Sequence, residues 1–506
     1  MRARRLQLQL KSEGGQQPAE LGKAQLAGAP VFKGVERGAA DCRLARELGP
    51  GLAPRWLANR RLLKIDAILG EMPYFLLLCL LGVSLMAQTP TTSPTLQIPA
   101  AALAGPSFNA EAATQAYLAS LGAERTAKSD SYFEGGYWLI LWDFLYGGAV
   151  LLLLLETGWS ARFRDMAERV TRRRPLVNWI YWAQFSVATF VLGLPLAVYE
   201  GYIREKQYGL MNQTSMAWFV DQLKNLGLSV VLGGLVVMAI IGIVRRLPRT
   251  WHVWGALTTV LFIMAGGLIF PVFVAPMFNK YTVLTDARVR DPILKLAREN
   301  GIPAMKVYEV DASRQSNRIS ANVSGFLGTE RITLNDNLLS RCSPQCVQAV
   351  MGHEMGHYVM NHIYKSIAFQ VILITLMFVG LRYGLDGALR RWSGRWEIRG
   401  LTDPAVVPLA LLITSIFSFA LTPVNNTLTR TQEYEADIFG LNTSRQPDGF
   451  AQAALLLSEY RKLSPGPVEE FIFFDHPSGR TRIFSSMRWK AENLCAGDDK
   501  TDCGHQ

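Results

Sequence analysis

Six long apolar runs, at about 137–155, 179–198, 226–244, 253–274, 367–381 and 405–421, are each bracketed by polar or charged connectors. Most approach the roughly 20 residues that a helix needs to cross a bilayer core. The pattern predicts an α-helical membrane protein. A further run, 73–87, spans 15 residues, follows Arg60, Arg61 and Lys64, and precedes a Pro/Thr-rich stretch. That length suits the core of a signal peptide better than a full span. Leu85-Met86-Ala87 puts leucine where a cleavage site prefers a small residue, so an uncleaved first helix fits as well. Residues 1–71 lack sustained periodicity and read as a disordered extension, or as an upstream mis-start ahead of Met72.

Between the fourth and fifth long runs lies the main soluble stretch, 276–365. Its pattern predicts a helix over about 291–300, short strands at 306–310 and 331–334, and a further helix, together a small α+β unit. The expected plan is a polar loop over 89–135, membrane helices over 136–275, the soluble insertion, membrane helices again over 366–422, a C-terminal segment over 423–490 and a tail over 491–506. Asp143 interrupts the first long run. An ionisable group there faces protein or a water-filled cavity, or else sits at the interface.

Composition sharpens this picture. A hydrophobic share of 49% and a mean hydropathy of +0.14 fit a membrane protein with a soluble part. The net charge of +11 would suit a nucleic-acid partner, but the basic residues cluster in short loops beside the apolar runs, so no such partner is expected. One loop carries Arg162, Arg164, Arg169, Arg172, Arg173 and Arg174, another Arg245, Arg246 and Arg249, and a third Arg382, Arg390, Arg391, Arg395 and Arg399. By the positive-inside rule these loops are cytoplasmic, and 88–135, 199–225, 276–365 and the C-terminal region lie on the other side. Cys342 with Cys346, and Cys495 with Cys503, would then stand in an oxidising compartment where disulfides persist.

Candidate chemistry enters with His353-Glu354-Met355-Gly356-His357, an HExxH motif. Ser343 can cap its helix and Pro344 suits the first turn. At 3.6 residues per turn the two histidines project from one face and can hold one Zn²⁺, while Glu354 can reach a water in the open position. With so few histidines in the chain, on the order of 0.004 such matches arise by accident. A catalytic site needs a third protein ligand. Glu433, in Glu433-Tyr434-Glu435-Ala436-Asp437, can supply it, and Asp437, one turn on, can accept a hydrogen bond from a ligating histidine.

HExxH, the later Glu-Tyr-x-Ala-Asp, Pro276-Met277-Phe278-Asn279-Lys280-Tyr281-Thr282, and His476-Pro477 with Arg482 together resemble the type I CAAX prenyl proteases, from about residue 130 to 490. Glu205-Lys206-Gln207-Tyr208-Gly209 resembles that family's loop between its third and fourth membrane helices. The resemblance implies a mainly α membrane protein with about seven transmembrane helices around an internal chamber, and a small α+β zinc-metallopeptidase insertion. It also implies His353, His357 and Glu433 as zinc ligands, Asp437 as support, and His476 and Arg482 near the metal, where they can stabilise a developing oxyanion. Ser320-Ala321-Asn322-Val323-Ser324-Gly325 corresponds to an edge strand on which substrate backbone pairs. Here the chain departs from the Asn-Ala-Tyr usual before that glycine, so side-chain preference is expected to differ. His362, off the ligand face, reads as structural, as do His252 and His505.

The expected activity is peptide-bond hydrolysis by a metal-activated water, with one zinc per chain and Glu354 moving the proton to the leaving amine. The partners are a peptide or protein substrate and the lipid bilayer. A site-2 intramembrane protease is disfavoured because HExxH precedes a span instead of lying in one. The alternative is a membrane chaperone or channel-like protein with a non-catalytic metal site, but structural zinc is normally closed by four protein ligands and no fourth is evident. The charge pattern suggests a bacterial inner membrane with the active site facing outward, which would put prenylated cytosolic tails out of reach.

Overall fold

The computed structural model describes residues 98–324 and 330–495; the run at 73–87, the chain before it, Gly325, Cys503 and His505 lie outside them. A short helix, α1 (Ala110–Ser120), leads into α2 (Ala123–Glu156), then α3 (Trp159–Val170), α4 (Arg174–Gln207), α5 (Ser215–Arg246) and α6 (Trp251–Met277). An α/β insertion follows, with β1 (Tyr281–Val283), α7 (Ala287–Glu299), β2 (Val307–Val310), β3 (Ala321–Ser324), β4 (Arg331–Asn335), α8 (Asp336–Arg341) and α9 (Pro344–Val359). The chain continues through α10 (His362–Trp392), α11 (Pro404–Ser444), α12 (Pro447–Leu457), α13 (Pro467–Phe473) and α14 (Gly479–Asn493).

Among the described residues, α2, α4, α5, α6, α10 and α11 are long and apolar enough to cross a membrane. Each contains one of the six long apolar runs. Large side chains such as Trp138, Trp142, Leu152 and Leu153 stay exposed on them, as lipid-facing positions do. The helices run further than their apolar cores. The segment 89–135, expected as a polar loop, contains α1 and the first turns of α2. Its few apolar positions explain why: Ala113, Tyr117 and Leu121 are buried against Leu455, Ile483 and Met487 of the C-terminal segment. Likewise α11 does not stop at the membrane but carries on as one helix to Ser444.

The insertion folds on a four-stranded sheet in the order β1-β2-β4-β3, with β2 and β4 parallel and the outer pairs antiparallel. Ile332 and Leu334 of β4, Val307 of β2, Ile293 and Ala297 of α7, and Met351 and Met355 of α9 share one core. The strands expected at 306–310 and 331–334 are β2 and β4; β1 is an addition. Among the described residues β3 pairs only with β4, which leaves its other edge open there. Asn335 N–H donates to Ser320 O at 3.0 Å, so Ser320 and Asn322 turn their backbone groups towards β4. Alternation then presents Ala321 and Val323 to the open edge. Arg318, just before β3, ties the insertion to the membrane helices through Glu205 (2.8 Å) and the Tyr132 hydroxyl (2.6 Å).

Candidate active site

Helix α9 begins as its sequence predicts: Ser343 Oγ accepts the Cys346 N–H at 3.2 Å, and Pro344 occupies the first turn. Cys342 and Cys346 form a disulfide across this start. The partner expected for Cys495 lies outside the described residues. The helix then crosses α11 at very short range, because small residues meet at the crossing. A Cβ on Gly352 would come 3.0 Å from Gly440 O, and one on Gly356 would come 3.1 Å from Ala436 Cα. Such contacts leave no room for a larger side chain, and they bring Glu433 of α11 up to the histidine face of α9.

There, one donor atom from each of His353, His357 and Glu433 lies within 4.8 Å of the others. His353 Nε2 stands 3.1 Å from Glu433 Oε2 and 3.2 Å from His357 Nε2, and His357 Nε2 stands 3.4 Å from Glu433 Oε1. His353 Nδ1 lies 2.7 Å from Asp437 Oδ1. If that nitrogen carries the ring proton, Nε2 turns a lone pair towards Glu433 Oε2 and His357 Nε2, an arrangement that a cation among the three atoms would satisfy. The electrostatics agree. Burial works against a charge on His353, but hydrogen bonds to Asp437 and Glu433 override it and push its pKa up to about 10, so the pocket favours positive charge. These residues fit a metal ion.

Asp437 is fully buried and receives a two-pronged contact from Arg482, with Nη2 at 2.6 Å from Oδ1 and Nε at 2.9 Å from Oδ2. Arg482 thus approaches the metal site through Asp437, a contact that spacing alone did not predict. It also lines, with Glu354, His353 and His476, a cavity of about 320 Å³. Burial raises the Glu354 carboxyl above its usual range, against the opposing charges of His353 and His357. His476 Nε2 lies 3.2 Å from Glu433 Oε2, and its Nδ1 lies 2.8 Å from Asp475 Oδ1. Burial lowers the His476 pKa, which favours a neutral ring. Ser320 and Ala321 line the same cavity; Asn322 follows them on β3, and Gly325 is outside the described residues. Arg318 also borders a second, more open cavity of about 620 Å³ against the membrane helices, lined by Glu200, Arg204, Glu205 and Asp221.

Sequence reasoning missed three groups here. His362 is not remote: its Nδ1 meets His357 Nδ1 at 2.9 Å. It escapes a helical-wheel argument because α9 has already ended at Val359 and the chain has turned. Glu435 and Asp475 were likewise passed over, although each adjoins a motif residue. The glycines at 352, 356 and 440 were a readable signal of a close helix crossing.

Comparison with known proteins gives a consistent answer. Residues 283–489 match the profile of peptidase family M48, and residues 110–280 match the CAAX prenyl protease N-terminal region, described as five membrane helices. The described part of the latter stretch contains four of the long helices. The chain is 30% identical over 336 residues to the uncharacterized metalloprotease YhfN of Bacillus subtilis, covering 66% of this chain and 79% of that one. It is 31% identical over 316 residues to a CAAX prenyl protease 1 homolog of Oryza sativa subsp. japonica, covering 60% and 70%. To CAAX prenyl protease 1 of Saccharomyces cerevisiae it is 28% identical over 320 residues, covering 59% and 69%. The crystal structure of S. mikatae Ste24p has the same fold, with a TM-score of 0.62 at 22% identity over 72% of this chain and 88% of that one.

Proposed function

Because this chain belongs to the M48 family of metallopeptidases and carries the CAAX prenyl protease N-terminal region, we propose that it is a zinc-dependent endopeptidase of a bacterial inner membrane, acting on the outer side. The observation that carries the reading is the convergence of His353, His357 and Glu433 on one cation-sized space beside Glu354. Those three residues would hold the ion, and zinc would supply Lewis acidity there, polarising a carbonyl and acidifying a water. Glu354 is the general base: it accepts a proton from the attacking water and returns it to the leaving amine. His476 and Arg482 border the space in which oxyanion charge develops, and Asp437 holds His353 in the ligating tautomer. Substrate backbone adds to the open edge of β3 beside Ser320, Ala321 and Asn322.

Two features support the outward orientation. The arginine-rich connectors after α2, α5 and α10 all join the same ends of alternating spans, whereas the insertion joins the opposite ends. The Cys342–Cys346 disulfide is in the insertion, as expected of an oxidising compartment. A prenylated CAAX tail, the substrate in the relatives' names, would then be out of reach, and exported or damaged membrane proteins become the substrate class.

Alkaline phosphatase fused after Gln506 and at Arg390 tests the orientation. Activity only at Gln506 supports it, and activity only at Arg390 overturns it and restores a CAAX-like cytosolic substrate. Glu354→Gln tests the chemistry. It is expected to keep stoichiometric zinc and to lose turnover by about 10²-fold or more. Retained turnover would remove Glu354 from the mechanism.

A further inference from the structure

His357 has a ring nitrogen that the metal reading leaves over, Nδ1, and the structure gives it a specific neighbour. Asn361, two residues past the end of α9 and in the left-handed region at φ 59°, turns the chain so that His362 opens α10 directly beside that ring. Asparagine tolerates this conformation better than most residues. His362 is 2% exposed. Its Nδ1 lies 2.9 Å from His357 Nδ1, and its Nε2 lies 3.0 Å from Glu435 Oε2 on α11. Lys365 Nζ reaches the same carboxylate oxygen at 2.9 Å and balances its charge.

One proton arrangement satisfies every atom of this chain. His362 Nε2–H donates to Glu435, which leaves His362 Nδ1 as an acceptor. His357 Nδ1–H donates to it, which leaves the His357 Nε2 lone pair facing His353 and Glu433. The opposite arrangement would put a proton on His357 Nε2, inside the cluster of ligand atoms.

We propose that His362, oriented by Glu435, is a positioning residue for the metal site that fixes the tautomer and ring orientation of His357. The inference rests on the reading of His353, His357 and Glu433 as the ligands. Each histidine ligand is then served by a separate carboxylate from α11: His353 directly by Asp437, and His357 through His362 by Glu435. The two carboxylates are two residues apart on one helix, so a single rigid element orients both imidazoles and, two residues before Glu435, supplies Glu433. The charge on Glu435 also favours the ligand role, because a hydrogen-bonded imidazole chain ending in a carboxylate makes the far nitrogen a better donor to a cation.

The test is zinc affinity of the full-length protein in detergent, measured by chelator competition, together with the visible spectrum of the cobalt-substituted form. His362→Leu is expected to weaken zinc binding about 10- to 100-fold and to alter the cobalt bands. His362→Asn, whose Oδ1 can stand where Nδ1 stood, is expected to restore most of the affinity. Glu435→Ala, at a half-exposed position, should weaken binding in the same direction by a smaller factor. Wild-type zinc affinity and cobalt spectrum in His362→Leu would overturn the proposal, as would equal losses in His362→Leu and His362→Asn. If His362→Leu does not fold, Glu435→Ala decides: unchanged affinity overturns the inference and weakened affinity sustains it. A different failure marks the underlying reading: if His353→Ala binds zinc as well as wild type, the ligand assignment itself is wrong.

Discussion

Gly440 lies against the backbone of His353 so closely that a Cβ on the glycine would come within 2.7 Å of His353 N and 3.0 Å of its Cα. Backbone cannot yield as a flexible side chain can, so even alanine must push α11 away from α9. Gly440→Ala is therefore expected to cost about 1–3 kcal/mol of stability and to displace Glu433 from the histidines. Thermal unfolding in detergent and zinc content check it; a variant with unchanged zinc affinity would show that the crossing has slack.

Asp437 holds two jobs in the dark interior of the site, one towards His353 and one towards Arg482. Asp437→Asn keeps the shape and removes the charge. Zinc affinity should fall about 10- to 100-fold. Leaving Arg482 buried without its carboxylate should cost up to about 3–5 kcal/mol. Adding Arg482→Met should recover stability but not metal binding, a split that chelator competition and unfolding measured together would reveal.

On β3, adjacent residues face opposite ways. Val323→Pro removes an N–H from the open edge without touching the ladder to β4, but it also trims a side chain that packs on the insertion's core. Zinc should therefore hold and stability fall modestly, with Val323→Ala as the control, while kcat/KM falls about 2- to 10-fold below that control, the worth of one hydrogen bond. Asn322→Pro removes a ladder bond instead and should destabilise the sheet. Equal kinetics for Val323→Pro and wild type would argue that substrate does not add to this edge.

Cys342 and Cys346, if the insertion faces an oxidising compartment, should resist maleimide in membranes prepared without reductant and react after dithiothreitol is added. Mass spectrometry of the peptide containing both residues reads the outcome. Free thiols from the outset would favour the reverse orientation.

Much of this protein was open to reading from its residues. The spans show because a bilayer demands continuous apolar length, and the six long runs all became helices. The metal motif shows because His353 and His357 are one helical turn apart, a relation that local geometry alone enforces. What stayed hidden was whatever depends on elements meeting. The polar stretch before α2 reads as loop because α1 is buttressed by α14, remote in sequence, through contacts such as Arg480 with Glu111 at 2.6 Å. His362 reads as structural because its partner relation to His357 arises only after Asn361 turns the chain.

The sequence by itself determined the six long helices, the segments that became β2 and β4, and the face that His353 and His357 share, since each rests on spacing within one segment. Only the tertiary structure decided that α9 and α11 touch at their glycines, that Arg482 clasps Asp437, and that Glu435 stands behind His362. Those relations depend on packing distances of about 3 Å between segments far apart along the chain, which no local periodicity encodes.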